Sequence, residues 1–231
     1  MTVPVALYLA LTLLGTGPSF AGGEPDNGGT SSAAPPTIPE RAVGTAGAPV
    51  RMDLYASFAS PQWAEWHLAT MPPLITEYIE TGRVRIVFHD LATVPAYPSV
   101  KAAMIGLCTP TDRFLDVIQS FAAGHAAAQD DEAAALRWYE DAKRASGLPP
   151  EVIEACSNSE PTYELVRAQM QDPVVQTLTQ LPGLLINGIK LDLTDWASIE
   201  YAINLALADA IAAPSPAVEG AEPEPAEPTD D

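Results

Sequence analysis

The chain has 231 residues and a formal net charge of −19, because 30 acidic residues outnumber 11 basic ones. Apolar residues make up 47% of the sequence, which is enough to bury one domain core of ordinary size. So acidic a chain repels phosphate backbones and anionic membranes, which argues against nucleic acid as a partner. The composition fits both a high-salt habitat and an acidic exported protein.

The N-terminal segment has the features of a secretory signal peptide over residues 1–21. An apolar run over residues 3–15 is too short for a comfortable bilayer span, and Ser19-Phe20-Ala21 places small residues at the two recognition positions of a cleavage site. No Lys or Arg precedes the run, which leaves open an uncleaved anchor or a misassigned start. No cysteine follows directly, so a lipoprotein anchor is excluded. We expect a periplasmic or extracellular protein.

Two segments of low complexity flank the predicted domain. Residues 22–48 are rich in Gly, Ser, Thr and Pro without periodicity, which predicts a flexible linker. Residues 214–231 alternate Pro, Ala and Glu, and this composition predicts a disordered acidic tail because it offers little apolar surface to bury. A single folded domain is therefore expected over residues 49–213.

The domain begins with a predicted βαβ unit. Apolar residues alternate from Val50 to Phe58, which predicts a strand, and Ser60-Pro61 supplies an N-cap and a first helical residue. The following helix is expected to reach about Thr81, with a kink at Met71-Pro72-Pro73 because a proline inside a helix removes a hydrogen bond. Residues 84–89 predict a second strand, parallel to the first.

The rest of the domain is predicted to be a helical block followed by a hairpin and a last helix. Residues 98–175 predict three to five helices, two of them over residues 130–145 and 151–157. Asn187-Gly188 stands between apolar runs at residues 183–186 and 189–191, which indicates a two-residue hairpin turn. Thr194 is the expected N-cap of the last helix.

This order of elements, together with local motifs, resembles the DsbA-like family of thioredoxin-fold proteins. The motifs are Ser60-Pro61-Gln62-Trp63, the aromatic-histidine pair Trp66-His67, and Leu181-Pro182-Gly183 before the hairpin. The resemblance implies an α/β thioredoxin-like fold (βαβ … ββα) with an inserted helical subdomain, and a cis proline at Pro182 that faces the active site. In that family Cys-Pro-X-Cys carries out dithiol exchange, and here Ser60 and Trp63 occupy the two cysteine positions.

The residues at these positions have competing interpretations. Ser60 is either an N-cap hydroxyl or a hydrolase nucleophile, and the second role needs a base within reach. Trp63 either fills the space left by the dithiol or joins Trp66, Leu181 and Pro182 in an apolar patch that grips an extended peptide. No catalytic residue is predicted.

Cys108 and Cys156 are the only cysteines and lie 48 residues apart in the helical block. An even pair in an exported protein favours a structural disulfide, and the alternatives are a displaced redox pair or two inert thiols. The histidines His67, His89 and His125 are scattered, so we expect no metal site. The sequence has no Gly-rich phosphate loop, so we expect no phosphate cofactor either. His89-Asp90 is expected to be a hydrogen-bonded pair at a strand end.

The sequence therefore predicts an exported DsbA-like protein without the usual dithiol. Thiol–disulfide exchange needs an attacking thiolate and a resolving thiol. We therefore expect a non-covalent function, either binding an unfolded or extended polypeptide or acting as a partner subunit. The alternative is a thiol–disulfide oxidoreductase or isomerase that works through Cys108 and Cys156. A third hypothesis, an envelope-anchored structural protein, rests on the weak cleavage signal and the long linker.

Overall fold

The computed structural model describes residues 39–93, 96–192 and 194–212. The predicted signal peptide, most of the predicted linker and the predicted acidic tail lie outside these residues. Within them, no helix combines the length and the apolar character that crossing a bilayer requires.

The described residues form a mixed sheet of five strands in the order β1-β3-β2-β4-β5. Strands β2 and β3 are parallel, as the βαβ pattern predicts, and the other neighbours are antiparallel. The hairpin turn is also confirmed, because Asn187 and Gly188 both have positive φ, at 47° and 81°. The strands are β1 (Arg41–Val43), β2 (Val50–Ala56), β3 (Val84–Asp90), β4 (Gly183–Ile186) and β5 (Ile189–Lys190).

Strand β1 corrects the predicted domain boundary, because it lies inside the segment expected to be a linker. Its three residues pair with β3 from Arg41↔Phe88 to Val43↔Ile86. Propensity alone could not identify so short a strand among Gly, Thr and Pro residues. The folded domain therefore begins at least eight residues before position 49.

Seven α-helices lie in the described residues, and five of them form the insertion, within the predicted range. Helix α1 ends at Leu74 and continues as a π-helix over Ile75–Ile79, directly after the internal prolines Pro72 and Pro73. The helices are α1 (Pro61–Leu74), α2 (Ala96–Cys108), α3 (Phe114–Gly124), α4 (Glu132–Ala145), α5 (Pro150–Ser157), α6 (Glu160–Gln169) and α7 (Trp196–Ala212).

The N-cap of α7 is Asp195, so the prediction of Thr194 is wrong by one residue. The Asp195 carboxylate accepts hydrogen bonds from the Ser198 backbone N–H at 3.1 Å and from the Ser198 hydroxyl at 2.7 Å. The Thr194 carbonyl instead accepts a hydrogen bond from Trp66 of α1.

The two faces of the sheet differ in chemistry because side chains alternate along each strand. Val50, Met52 and Leu54 of β2 enter the main apolar core, together with residues of α1, α3 and α7. The intervening residues Arg51 and Asp53 lie on the other face, in a charged network. The apolar face positions the start of α1 described below.

Candidate functional site

The turn from β2 into α1 is built around Ser60, and its predicted role as N-cap is confirmed. The Ser60 hydroxyl oxygen accepts the Trp63 backbone N–H at 3.2 Å, with Ser60 in extended conformation and Pro61 as the first helical residue. Among the described residues, no base contacts this hydroxyl by a hydrogen bond. The Ser60 hydroxyl therefore has the geometry of a helix cap and lacks the hydrogen-bonded base that a nucleophile needs.

Trp63 and Trp66 are both buried, so the prediction that they form a peptide-gripping surface patch is wrong. Trp63 is fully enclosed and packs against Phe58, with ring centroids 4.9 Å apart. Trp66 is 8% exposed, and its indole N–H donates to the Thr194 carbonyl at 2.9 Å. The physical reason is that both side chains lie on the apolar face of α1, which the core covers.

His67 is fully buried next to Trp63, and its ring contacts the side chain of the exposed residue Gln119. The His67 ring lies 5.0 Å from the Trp63 ring, and its Nε2 is 3.0 Å from Gln119 Oε1. Burial lowers the pKa of His67 to about 4, although the hydrogen bond with Gln119 acts in the opposite direction. His67 is therefore neutral at pH 7, donates Nε2–H to Gln119, and is not available as a base for Ser60.

His125 supports the turn from the helical insertion, although the sequence pattern predicts no role for it. It lies just after α3, and its Nε2 donates to the Ala59 carbonyl at 3.0 Å, one residue before Ser60. Its ring packs edge-on against Trp138 of α4, with ring centroids 6.0 Å apart. Because 66 residues separate His125 from Ala59, no local pattern could have indicated this contact.

Asp90 holds the same turn from the end of β3. Its Oδ1 accepts the Phe58 backbone N–H at 2.9 Å, and its side chain is buried. Burial raises the pKa of Asp90 well above its usual value, against the opposing hydrogen bonds from the Phe58 and Leu91 backbones. The predicted His89-Asp90 pair is wrong, because neighbouring residues of a strand face opposite sides of the sheet, and His89 contacts Asp53 instead.

The Leu181-Pro182 peptide bond is cis, as the family resemblance implies. The register Tyr55↔Gly183 brings this loop beside the end of β2, next to the turn that leads to Ser60. Gly183 allows the close packing there, because a Cβ at this position would lie 2.8 Å from a methyl carbon of Leu178. Pro182 is buried and Leu181 is half-buried.

A shallow apolar groove of about 240 Å³ lies beside the cis-proline loop. Its apolar lining comes from three separate segments: the residue after β3, the end of α6, and the loop before β4. Of the four residues predicted to bind peptide, Leu181 alone borders this groove. We call it the Leu181 groove, and its apolar lining residues are Leu91, Met170, Val175, Leu178 and Leu181.

The backbone of Leu181, which borders this groove, has no hydrogen-bond partner among the described residues. Within the described part of the chain, neither its N–H nor its C=O makes a hydrogen bond. A half-exposed backbone with free donor and acceptor groups at the end of a strand can pair with an extended chain. The groove and this backbone together form an accessible feature beside the cis proline.

The two cysteines form a disulfide, with their Cα atoms 5.9 Å apart. The bond joins the end of α2 to α5 inside the helical insertion, and both cysteines are half-buried. The Thr162 hydroxyl lies 3.8 Å from Cys108 Sγ and 3.7 Å from Cys156 Sγ. No group of three potential metal-ligating side chains occurs in the described residues.

A sequence-family model described as Thioredoxin matches residues 37–204, well over half of the chain. The chain belongs to the thioredoxin family. This match includes β1, the turn at Ser60, the helical insertion and the cis-proline loop. No similar sequence was found among curated proteins.

Solved structures of thioredoxin-like proteins share this fold at low sequence identity. Wolbachia pipientis alpha-DsbA1 has a TM-score of 0.65 and 19% identity, covering 77% of this chain and 95% of its own. Oxidised BdbD from Bacillus subtilis has a TM-score of 0.66 and 16% identity, covering 73% and 93%. A periplasmic thioredoxin-like protein from Salmonella enterica serovar Typhimurium has a TM-score of 0.56 and 16% identity, covering 73% and 90%. These similarities establish a DsbA-like fold with a helical insertion.

Proposed function

We propose that this thioredoxin-family protein holds an extended polypeptide non-covalently at the Leu181 groove and performs no thiol–disulfide exchange at Ser60–Trp63. The observation that carries the proposal is the contrast within one site. The turn that would bear the reactive thiols has a capping serine and a buried tryptophan, whereas Leu181 of the adjacent cis-proline loop is half-exposed and borders an apolar groove.

The chemistry of exchange supports the first half of this proposal. A disulfide is exchanged when a thiolate attacks it and a second thiol resolves the mixed disulfide. The Ser60 hydroxyl cannot form a disulfide, and it already accepts a hydrogen bond from Trp63 N–H. The two sulfur atoms of the chain's cysteines are bonded to each other in the helical insertion.

The geometry of the groove supports the second half. An extended peptide that pairs with the free N–H and C=O of Leu181 would gain main-chain hydrogen bonds, and every second side chain would point toward the same face. The groove beside that face has an apolar lining from Leu91, Met170 and Val175. We therefore expect clients with an aliphatic or aromatic residue at the pairing segment, independent of cysteine.

Export fits the same proposal. The N-terminal segment reads as a signal peptide, and disulfides persist mainly in oxidising compartments. The similar Salmonella protein is described as periplasmic. The client would then be a polypeptide outside the cytoplasm.

A cysteine-free, unfolded, fluorescently labelled polypeptide tests this function by fluorescence anisotropy. We expect saturable binding to the natural protein and at least a tenfold weaker affinity for Val175→Asp, because the new carboxylate must be desolvated in the groove. The matched control is Ile189→Asp, since Ile189 is 73% exposed on β5 outside the groove. Equal affinity of both variants would contradict the proposal.

A second candidate is thiol–disulfide exchange through Cys108 and Cys156. The observation in its favour is that the disulfide is formed and its cysteines are half-exposed rather than sealed in the core. Oxidative refolding of a reduced model substrate separates the two functions. Activity of the natural protein that disappears in Cys108→Ala/Cys156→Ala supports the second candidate, whereas activity that appears only in the Ser60→Cys/Trp63→Cys variant supports the first.

A further inference from the structure

Arg41 of β1 is a half-buried arginine without a partner. In the described part of the chain its guanidinium makes no hydrogen bond or ion pair, and its Nε is buried without an acceptor. The nearby arginines differ: Arg51 and Arg85 both form ion pairs with Glu40. An unpaired charge that is partly removed from water carries a desolvation cost that a bound counter-ion would offset.

Arg41 lies at the edge of a cleft of about 210 Å³, which we call the Arg41 cleft. The cleft is separate from the Leu181 groove and shares no lining residue with it. Gln169 also lines it, is only 6% exposed, and has an Oε1 atom without a hydrogen-bond partner. The polar side chains of the cleft are Glu40, Arg41, Arg51, His89, Gln169 and Asp172.

The carboxylates around this cleft already have partners. Glu40 contacts two arginines, as described above. Asp172 accepts hydrogen bonds from the Tyr55 hydroxyl at 3.2 Å and from the Val174 backbone N–H at 2.9 Å. Asp53 contacts both Arg51 and His89, which line the cleft. None of these carboxylates contacts Arg41. Asp90, whose Oδ2 has no hydrogen-bond partner, lines a smaller cavity of about 10 Å³ together with Arg41 and Gln169, but it forms no ion pair with Arg41 in the described residues.

We propose that the Arg41 cleft binds a small oxyanion, a carboxylate or a phosphate monoanion, through the Arg41 guanidinium. The planar fork of an arginine matches two oxygens of such a group and forms strong charge-assisted hydrogen bonds with them. Burial lowers the pKa of Arg41, as expected for a cation that lacks a counter-ion. Because the Glu40 and Asp172 carboxylates also line the cleft, a monoanion is favoured over a dianion.

The oxyanion that binds Arg41 can come from two sources. One is a free small anion or the carboxylate of a separate molecule. The other is the chain's own C-terminal segment, since residues 214–231 contain six Asp and Glu side chains. From Ala212, an extended segment of this length spans roughly 60 Å, enough to reach across a domain of this size.

The test is an NMR titration that follows the Arg41 Nε–Hε resonance in the full chain. Acetate and dihydrogen phosphate are the monoanion probes, and sulfate is the dianion probe. We expect saturation with a dissociation constant on the order of 1 mM, weaker binding of sulfate, and loss of the response in Arg41→Gln. The matched control is Arg137→Gln, because Arg137 is an exposed arginine on α4 that also has no partner among the described residues.

A second chain, with the six tail carboxylates changed to amides, separates the sources. If Arg41 responds to acetate equally in both chains, the ligand is a free or foreign oxyanion. The tail is the natural occupant if changing its carboxylates to amides shifts the Arg41 resonance and acetate then binds in its place. In that case the cleft is also an oxyanion site. The proposal is overturned if Arg41 shows no saturable response in either chain, or if Arg137 responds equally.

Discussion

Two neighbouring regions of this protein, the turn at Ser60 and the loop at Leu181, have opposite character. The turn is held by hydrogen bonds to its backbone from Asp90 and His125, and Trp63 behind it is fully enclosed. The loop has a half-exposed residue with unused backbone groups beside an apolar groove. The position of the family's second reactive thiol, Trp63, has therefore become part of the core, while Leu181 next to the cis proline stays half-exposed.

The largest expected effect on stability comes from removing the buried Trp63 side chain at the turn. Trp63→Ala should lower the free energy of unfolding by about 3–5 kcal/mol, because a fully buried indole leaves a cavity among Phe58 and His67. Urea denaturation measures this change. The matched control is Tyr201→Ala, since Tyr201 is 72% exposed and should cost little. Equal costs for the two variants would show that Trp63 is not a core residue.

The disulfide should have the next largest effect on stability. Cys108→Ala/Cys156→Ala should lower the free energy of unfolding by about 2–4 kcal/mol, because the bond closes a loop of 48 residues in the unfolded chain. Polypeptide binding at the Leu181 groove should be unchanged at temperatures where the variant is folded. A loss of binding in the folded variant would show that the disulfide of the helical insertion affects the Leu181 groove, which would contradict this prediction.

The buried His67 should make the free energy of unfolding depend on pH. Its pKa is lowered to about 4 in the folded protein, below about 6.5 in the unfolded chain, so the unfolded state takes up the proton first as the pH falls. Its contribution to stability is complete above about pH 6.5 and is lost as the pH falls to 4, by about 3 kcal/mol, because one pKa unit corresponds to about 1.4 kcal/mol. The difference in unfolding free energy between the natural protein and His67→Gln, followed over this range, isolates the effect.

Asp90 should act in the opposite direction over the same range, which is why the variant is needed. Its pKa is raised by burial, so folding becomes less favourable as the pH rises above its unfolded value. A difference curve for His67→Gln that stays flat from pH 7 to 4 would contradict the buried neutral imidazole.

The smallest expected effect is at the cap itself. Ser60→Ala should cost about 1 kcal/mol, because it removes the acceptor for the Trp63 backbone N–H. Ser60→Asp should retain most of this stability, since a carboxylate caps a helix N-terminus equally well. Thermal unfolding of both variants checks this. If Ser60→Ala abolished polypeptide binding without unfolding the protein, Ser60 would have a role beyond capping.

Much of the fold could be predicted from sequence because its signals are local. The Ser60-Pro61 cap, the Asn187-Gly188 turn and the alternation of Val50–Ala56 each specify one element and its ends. Strand β1 could not be predicted, since three residues carry too little pattern and depend on pairing with β3.

The candidate site was harder to predict because its contacts are distant in sequence. The resemblance indicated the cis proline correctly, but helical spacing could not tell whether Trp63 and Trp66 faced a partner or the core. His125 supports Ala59 across 66 residues, and His89 contacts Asp53 instead of its neighbour Asp90. In the folded protein, hydrogen bonds from His89 and Arg51 outweigh burial and hold the pKa of Asp53 at about 2.

An NMR titration of the isotope-labelled protein with a cysteine-free extended peptide tests directly whether the Leu181 groove binds a polypeptide. We predict that the Leu181 backbone amide shifts and becomes protected from hydrogen exchange, with accompanying shifts of the Val175 and Leu178 methyl groups. The amides around Ser60 should change little, because that turn is already held by Asp90 and His125. Changes confined to the helices around Cys108 and Cys156, or no changes at all, would contradict the account.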